Sequence, residues 1–183
     1  VRLALSPLSF YQVNRQGAEA LFQQALSYAN PSPGAALLDL CCGAGAIGLT
    51  MAHKVGSLVG VEVVCAAGAD AKANAQANGI NNARFFRADA AQAARTLLEE
   101  GFRPDIVVLD PPRKGADPAT IGCITALAPK KLIYISCNSA TLARDGALLA
   151  QQGYRAVRAR PADLFPRTAN VECCTLFLRV NQS

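Results

Sequence analysis

Apolar residues near the start of the chain recur at the spacing of an amphipathic helix. Between Arg15 and Asn30 they stand at positions 18, 21, 22, 25, 26 and 29, and the sequence Asn-Pro-Ser-Pro-Gly at 30–34 then ends the helix. Ahead of this helix, the segment Val1–Leu5, Val-Arg-Leu-Ala-Leu, predicts a short strand. The chain is therefore expected to open with a strand followed by a helix.

After this helix, short apolar runs alternate with stretches of helical periodicity. Strands are expected at 36–40, 58–62, around Phe85, 106–109, 132–135, 154–160 and 173–180. Helices are expected from about Ala46, up to Asn78, through Leu97, after Asp117 and over 139–152. This alternation predicts an α/β fold with a mostly parallel, doubly wound sheet of about seven strands. The last two strands have no helix between them, which predicts an antiparallel hairpin at the sheet edge.

The composition is that of one globular domain. The chain has 183 residues, of which 51% are hydrophobic and 17% charged, and its mean hydropathy is +0.20. No apolar run reaches the roughly 18 residues of a membrane-spanning helix, and no basic segment precedes an apolar one at the start, so neither a membrane nor export is indicated. A net charge of +5 favours an anionic partner only mildly.

The seven cysteines are odd in number, and none is spaced C-x-x-C. Disulfide scaffolds and zinc sites are therefore not expected. Thiols inside apolar runs suit a reducing cytoplasm, where they pack as small hydrophobic side chains. We expect a cytoplasmic monomer that holds no metal.

A glycine-rich turn follows the first strand of the alternating region. Gly43, Gly45 and Gly48 form the pattern G-x-G-x-x-G, and Glu62 ends the next strand about 20 residues on. Glycines let a ligand approach the backbone, and a carboxylate at the position of Glu62 can accept the ribose hydroxyls of an adenosine. Asp89, after the third strand, could face the adenine. The pattern suits S-adenosylmethionine and NAD alike.

Asp39 stands at the end of that first strand, just ahead of the turn. An acid there favours a methyltransferase, because it can hold the glycine loop and face the cationic methionine end of S-adenosylmethionine. Two other interpretations stay open at this point. The turn could bind NAD, or it could be a tight strand-to-helix connection with no ligand.

Candidate reactive residues follow the later strands. The fourth strand leads into Asp110-Pro-Pro-Arg-Lys-Gly, and the fifth into Ser136-Cys137-Asn138. A cysteine at a strand end can attack a substrate when a nearby cation lowers its pKa, although a lone cysteine is more often structural. Glu172 is an acid at the start of an apolar strand, where a solvated loop acid is the alternative. Cations near strand ends could meet phosphates; these are Arg113, Lys114, Arg144 and Arg167.

Five segments together resemble the RNA uracil-C5 methyltransferases. Their order and spacing match over essentially the whole chain; they are Phe10–Asn14, Asp39–Gly45, Asp110–Arg113, Ser136–Asn138 and Phe165–Glu172. The resemblance implies a Rossmann-like class I methyltransferase fold. It favours methyl transfer over hydride transfer more strongly than the glycine pattern alone.

The resemblance also implies roles for individual residues. The family's contacts to S-adenosylmethionine fall on Gln12, Cys41, Ala46, Glu62, Asp89 and Asp110, to which the turn adds Asp39, Gly43 and Gly45. Cys137 falls on the nucleophile and Glu172 on the base, while Arg113, Asn138 and Arg167 are candidates for RNA binding. Three positions differ from well-known members: Ala46 stands where some of them have a polar contact, Asp89 stands where an amide can occur, and Asn170 replaces a histidine.

The implied chemistry begins with addition of the Cys137 thiolate to C6 of a uracil. The C5 atom can then take a methyl group from S-adenosylmethionine, leaving S-adenosylhomocysteine, and Glu172 removes the C5 proton. The expected substrate is rRNA or tRNA, with no metal required. Two alternatives remain, an NAD-dependent oxidoreductase and a catalytically silent RNA-binding module of the same fold.

The resemblance bears on domain organisation as well. Family members usually carry an N-terminal β-barrel for RNA binding and a central insertion, and some hold an iron-sulfur cluster there. Neither segment is found in these 183 residues. We therefore expect residues 1–183 to be one catalytic domain taken from a longer protein.

Overall fold

A computed structural model describes residues 1–7, 12 and 14–180. The strands are β1 Ala36–Leu40, β2 Ser57–Glu62, β3 Ala83–Arg87, β4 Ile106–Leu109, β5 Lys131–Ser136, β6 Tyr154–Ala162 and β7 Glu172–Arg179. The helices are α1 Arg15–Ala29, α2 Ala46–Met51, α3 Cys65–Ala77, α4 Ala90–Glu99, α5 Pro118–Ala126 and α6 Ser139–Gln151, with a short 3-10 helix at Ala52–Lys54.

Within the described residues, the seven strands form one sheet in the order β3-β2-β1-β4-β5-β7-β6. Strands β1 to β5 run parallel, and β7 lies antiparallel between β5 and β6. The predicted parallel sheet with an antiparallel edge hairpin is confirmed. The chain order reverses between β1 and β4, which is where ligands bind in sheets of this kind, at the carboxyl ends of the strands.

The core lies on both faces of the sheet. In β1, Leu37 faces a cluster formed with α1 and α2, whereas Leu38 and Leu40 face a second cluster formed with α4, α5 and α6. All three leucines are fully buried. A central strand covered on both faces explains why the strands read as continuous apolar runs instead of alternating ones.

The segment Val1–Leu5 does not form the predicted strand. Its backbone is held by two asparagines of α3 and its C-cap. Asn78 accepts a hydrogen bond from the N–H of Arg2 and donates one to its carbonyl (2.8 and 2.7 Å), and Asn74 does the same for Ala4 (2.7 and 3.0 Å). These amide side chains take the place of a neighbouring strand, so the segment lies extended along α3 outside the sheet.

The loop that follows β4 is fastened to α6. The buried carboxylate of Asp145 accepts hydrogen bonds from the Ala116 N–H (2.8 Å), the Tyr134 hydroxyl (2.5 Å) and Arg144 Nε (2.8 Å). Arg144 Nη2 donates to the carbonyls of Lys114 (2.9 Å) and Ala116 (3.1 Å). Because α6 begins two residues after Cys137, these contacts hold the loop at 110–116 in a fixed position beside the cysteine.

Replacing Asp145 with alanine should therefore destabilise the fold. Tyr134, Arg144 and the Ala116 N–H would each lose an acceptor inside the protein, and breaking such a buried pair costs about 3 kcal/mol. Urea unfolding measures this loss as a lower midpoint at unchanged slope. The exposed Glu99→Ala serves as control and should stay within about 0.5 kcal/mol of the parent protein. An equally small change for Asp145→Ala would show that the hydrogen bonds of Asp145 contribute little to stability.

Candidate active site

A cavity of about 710 Å³ opens at the carboxyl ends of the parallel strands. Ten of the residues predicted to act in the site line it: Gln12, Cys41, Gly43, Ala46, Glu62, Asp89, Asp110, Arg113, Cys137 and Glu172. Four others, Asp39, Gly45, Asn138 and Arg167, lie outside this lining. In the first motif, Phe10, Tyr11 and Val13 lie outside the described residues.

The carboxylate of Glu62 fixes the glycine turn through hydrogen bonds from the backbone. One carboxylate oxygen accepts from the Gly43 N–H (2.8 Å), and the other accepts from the Val64 N–H (2.8 Å). Cys41 and Gly43 have left-handed φ angles of 60° and 56°, a conformation that is costly for cysteine. A carboxylate has about four acceptor positions, so two backbone bonds leave Glu62 with capacity for a ligand.

The side chain of Asp39 contacts helix α2 at Gly48. Its Oδ2 accepts from the Gly48 N–H (2.8 Å), and a Cβ on Gly48 would lie only 2.7 Å from that oxygen. The buried Oδ1 has no hydrogen-bond partner within the described structure. Burial, with a further contribution from Glu62, raises the pKa of Asp39 to about 7. The third glycine of the pattern, Gly48, is therefore needed because a larger residue would collide with the Asp39 carboxylate.

Gly45, Ala46 and Asp89 lie at the starts of the helices that border the cavity. Gly45 is the N-cap of α2 with a left-handed φ of 84°, and Ala46 is its first residue. Asp89 caps α4, accepting from the Gln92 N–H (2.8 Å). The helices α2 and α4 thus direct their N-termini, with their partial positive charge, toward this end of the cavity.

Cys137 lies between β5 and α6, at a junction that is fixed by its neighbours. The Ser136 hydroxyl bonds to both the carbonyl (2.9 Å) and the N–H (3.1 Å) of Asn138, and Asn138 caps α6. Partial burial and the charge of Glu172 raise the pKa of the Cys137 thiol, while Arg113 lowers it. The thiol is therefore protonated in this state and depends on nearby positive charge for ionisation.

Glu172 is the first residue of β7 and is only 4% exposed, so the alternative of a solvated loop acid is wrong. Burial raises its pKa, and a hydrogen bond from Gln12 lowers it in part. Gln12 is itself buried, and its Oε1 has no partner within the described structure. A carboxylate with a raised pKa beside a substrate cavity is suited to accept a proton.

Asp110 directly follows β4 and lines the same cavity as Cys137 and Glu172. Burial, Glu172 and Asp39 raise its pKa to about 8. At neutral pH the carboxyl group is therefore mostly protonated and can donate a hydrogen bond. A bound cation would favour the ionised form instead.

Arg113 bridges two loops across the cavity. Its Nη1 donates to Asn170 Oδ1 (2.8 Å), which joins the loop after β4 to the loop between β6 and β7. Asn170 is a neutral amide, so this hydrogen bond leaves the positive charge of Arg113 unneutralised. Arg167 lies earlier in the same loop, exposed and with a left-handed φ of 69°.

No group of three or more histidine, cysteine, aspartate or glutamate side chains within the described ranges could hold a metal ion. No helix in the described part of the chain is long and apolar enough to cross a membrane. All seven cysteines are free thiols.

Asp145 contributes to the site, and its role was missed from the sequence. It stands on the buried side of α6, with Leu149 one turn later. An acid in the apolar stripe of a helix is the available signal, because such a group is buried only with partners. Arg144, a candidate for binding phosphate, has its guanidinium committed to Asp145 and to loop carbonyls.

The model of the tRNA (uracil-5-)-methyltransferase family matches residues 5–180. An uncharacterized RNA methyltransferase of Streptococcus mutans is 42% identical over 178 residues, which are 97% of this chain and 40% of that protein. One of Bacillus cereus is 41% identical over 182 residues, again 40% of its length. The chain thus spans about two fifths of the curated relatives that it matches.

The solved structures include a similar protein with a bound ligand. The crystal structure of Pyrococcus abyssi tRNA (uracil-54, C5)-methyltransferase in complex with S-adenosyl-L-homocysteine superposes with a TM-score of 0.81 at 28% identity, covering 94% of this chain and 41% of that one. The Rossmann-like class I methyltransferase fold is confirmed. Together, the family match and the identity to these relatives show that the chain belongs to the tRNA (uracil-5-)-methyltransferase family.

Proposed function

We propose that this domain transfers a methyl group from S-adenosylmethionine to C5 of a uridine in RNA. The observation that carries the proposal is that Cys137 and Glu172 line the same cavity as the glycine turn supported by Glu62. A nucleophile, a base and an adenosine-binding turn in one cavity are the parts that this reaction needs. Membership of the family supports the same chemistry.

The residues around the turn fit S-adenosylmethionine. Glu62 would accept the ribose hydroxyls, and Asp89 would face the adenine from the start of α4. Gln12 and Asp110 would face the methionine end. Gln12 Oε1 is buried without a partner among the described residues, and a nearby cation would favour the ionised form of Asp110. The sulfonium supplies that positive charge and an electrophilic methyl group.

Cys137 makes C5 reactive. Its thiolate adds to C6 of the uracil, and the ring becomes an enolate whose C5 carries the electron density for the methyl group. Arg113 lowers the pKa of the thiol and so favours the thiolate.

Glu172 completes the reaction. After methyl transfer, C5 holds both the methyl group and its original hydrogen. Glu172 takes this proton, the C5–C6 double bond forms again, and the Cys137 thiolate leaves. The raised pKa of Glu172 makes its carboxylate a stronger base for this step.

The RNA substrate and the rest of the protein complete the proposal. Part of the affinity for rRNA or tRNA would come from a segment outside these residues, since the relatives are much longer. A silent RNA-binding module is the competing function, and it predicts no covalent chemistry at Cys137. Oxidation with NAD is disfavoured by the family match.

Changing the nucleophile and the base should block the reaction at different stages. Cys137→Ala should give neither methylated RNA nor a covalent species. Glu172→Gln keeps the shape of the side chain and allows addition and methyl transfer, but it stalls proton removal, so a protein–RNA adduct should accumulate. Denaturing gel electrophoresis with labelled RNA and S-adenosylmethionine detects the adduct.

Cys65→Ala is the matched control, because this exposed cysteine lies outside the cavity lining and should retain full activity. An adduct that persists in Cys137→Ala would place the nucleophile elsewhere. Full turnover by Glu172→Gln would remove Glu172 from the mechanism.

Cofactor affinity should depend on pH through Asp110. Its pKa of about 8 in the empty site means that the carboxyl must lose a proton to face the sulfonium. Affinity for S-adenosylmethionine relative to S-adenosylhomocysteine, which lacks that charge, should therefore rise with pH, by at most about tenfold per unit, and level off above pH 8. Asp110→Asn should flatten this dependence.

Isothermal calorimetry measures both ligands, and NAD serves as the negative control. A ratio that does not change with pH would show that Asp110 does not face the methionine end. Tighter binding of NAD than of S-adenosylhomocysteine would contradict the proposed function.

A further inference from the structure

Strand β6 forms an edge of the sheet and carries three exposed arginines, Arg155, Arg158 and Arg160. Side chains alternate between the two faces of a regular strand, so residue 155 would point away from residues 158 and 160. The pairing with β7 shifts its register between Ala156 and Arg158, which makes Val157 an extra residue. Such a bulge changes the direction of the side chains that follow it.

The bulge places all three arginines on one face. Their partners in β7 are Leu178, Leu176 and Cys174, in that order, which alternate with residues of the opposite face. Leu176 and Cys174 belong to the core cluster on the side of α1. We call Arg155, Arg158 and Arg160 the arginine row.

The arginine row leads to the cavity. The next pair on the same face of the ladder is Ala162 with Glu172, and Glu172 lines the cavity with Cys137. Two residues of a strand span roughly 6.6 Å, so Arg160 is one such step from the catalytic edge of the sheet. Positive charge thus follows β6 up to the proposed base.

One arginine of the row has a polar partner on α1. Arg160 Nη1 donates to Gln24 Oε1 of α1 (2.8 Å), at a groove that Gln23, Ser27 and Asp163 also line. None of the four ion pairs found in the described residues involves an arginine of the row. No carboxylate of the described residues neutralises the row, and Arg160 keeps further N–H donors besides the one that contacts Gln24.

A polyanion fits this surface better than a protein strand does. Charged side chains on an edge strand oppose pairing with another chain, and that protective role works with the arginines on either face. Binding to a chain of phosphates requires that the arginines share one face, in a row that leads to the cavity. Guanidinium groups bind phosphates with paired hydrogen bonds.

We propose that the arginine row binds the phosphate backbone of the RNA next to the nucleotide whose base enters the cavity. The inference rests on the proposed function, because it takes the bound polyanion to be the RNA that is methylated. The arginine row then guides the strand, while Cys137 and Glu172 act on the base.

The test compares two triple variants of equal charge. One replaces Arg155, Arg158 and Arg160 with glutamine, and the other replaces three exposed cations elsewhere, Arg2, Lys54 and Arg95. Fluorescence anisotropy with a labelled, uridine-containing single-stranded RNA gives Kd between 50 and 200 mM salt. Each lost phosphate contact lowers the salt slope by about 0.7, so the first variant should lose about 2 in slope and bind at least about tenfold more weakly.

The control variant should keep most of the slope and affinity of the parent chain, and both variants should bind S-adenosylhomocysteine as the parent does. Equal weakening in both variants would mean that only net charge matters. If the glutamine variant binds RNA as the parent does but self-associates, the row serves only to prevent pairing at the sheet edge, and the proposal is wrong. Absence of RNA binding by the parent chain would equally overturn it. No methyl transfer is measured, so failure here is separate from failure of the proposed reaction.

Discussion

The carboxylate of Asp145 is the contact on which the geometry of the reaction centre depends. It joins the end of the β4 loop to α6, while α6 itself begins beside Cys137. Two elements that are far apart in sequence are thereby held in one position. Arg113, carried by that loop, reaches Asn170 on the far side of the cavity. A buried acid thus links the loop that carries Arg113 and Asp110 to the cysteine.

Electrostatics complement this arrangement. Burial raises the pKa values of Asp39, Asp110 and Glu172, and repulsion from neighbouring carboxylates adds to the shift at Asp39 and Asp110. Entry of a cation into such a cavity is favourable, because it stabilises the charged forms of these acids. The proposed methyl donor carries a positive charge of this kind. Glu172 and Asp110 also oppose ionisation of Cys137, so Arg113 and the bound cation act in the same direction. In the proposed reaction, cofactor binding and activation of the thiol are therefore coupled.

Periodicity alone predicted most of the fold. The predicted strands and helices agree with the structure to within about two residues at their ends, because caps such as Asn14 and Asp117 and turn residues such as Asn30 are local signals. The strand at 1–5 failed, since the side chains of Asn74 and Asn78 satisfy its backbone. No local pattern reveals such a partner some 70 residues away.

The positions of the motifs at strand ends likewise predicted that most of the candidate residues lie together, and they line one cavity. The contacts of Asp39 with Gly48, of Arg113 with Asn170 and of Asp145 with the β4 loop were beyond the sequence, because each joins segments whose relative placement depends on tertiary packing. The bulge at Val157 is of the same kind. It depends on the pairing of β6 with β7, and the spacing of the arginines alone predicts the opposite arrangement for Arg155.

The most direct test of the central claim is release of tritium from RNA labelled at C5 of uridine. In the proposed mechanism, each methyl group transferred replaces one C5 hydrogen, which Glu172 passes to water. With excess domain and S-adenosylmethionine, tritium release and methyl incorporation should appear in equal amounts, and both should vanish in Cys137→Ala. Methyl incorporation without tritium release would place the methyl group on another atom and contradict the mechanism.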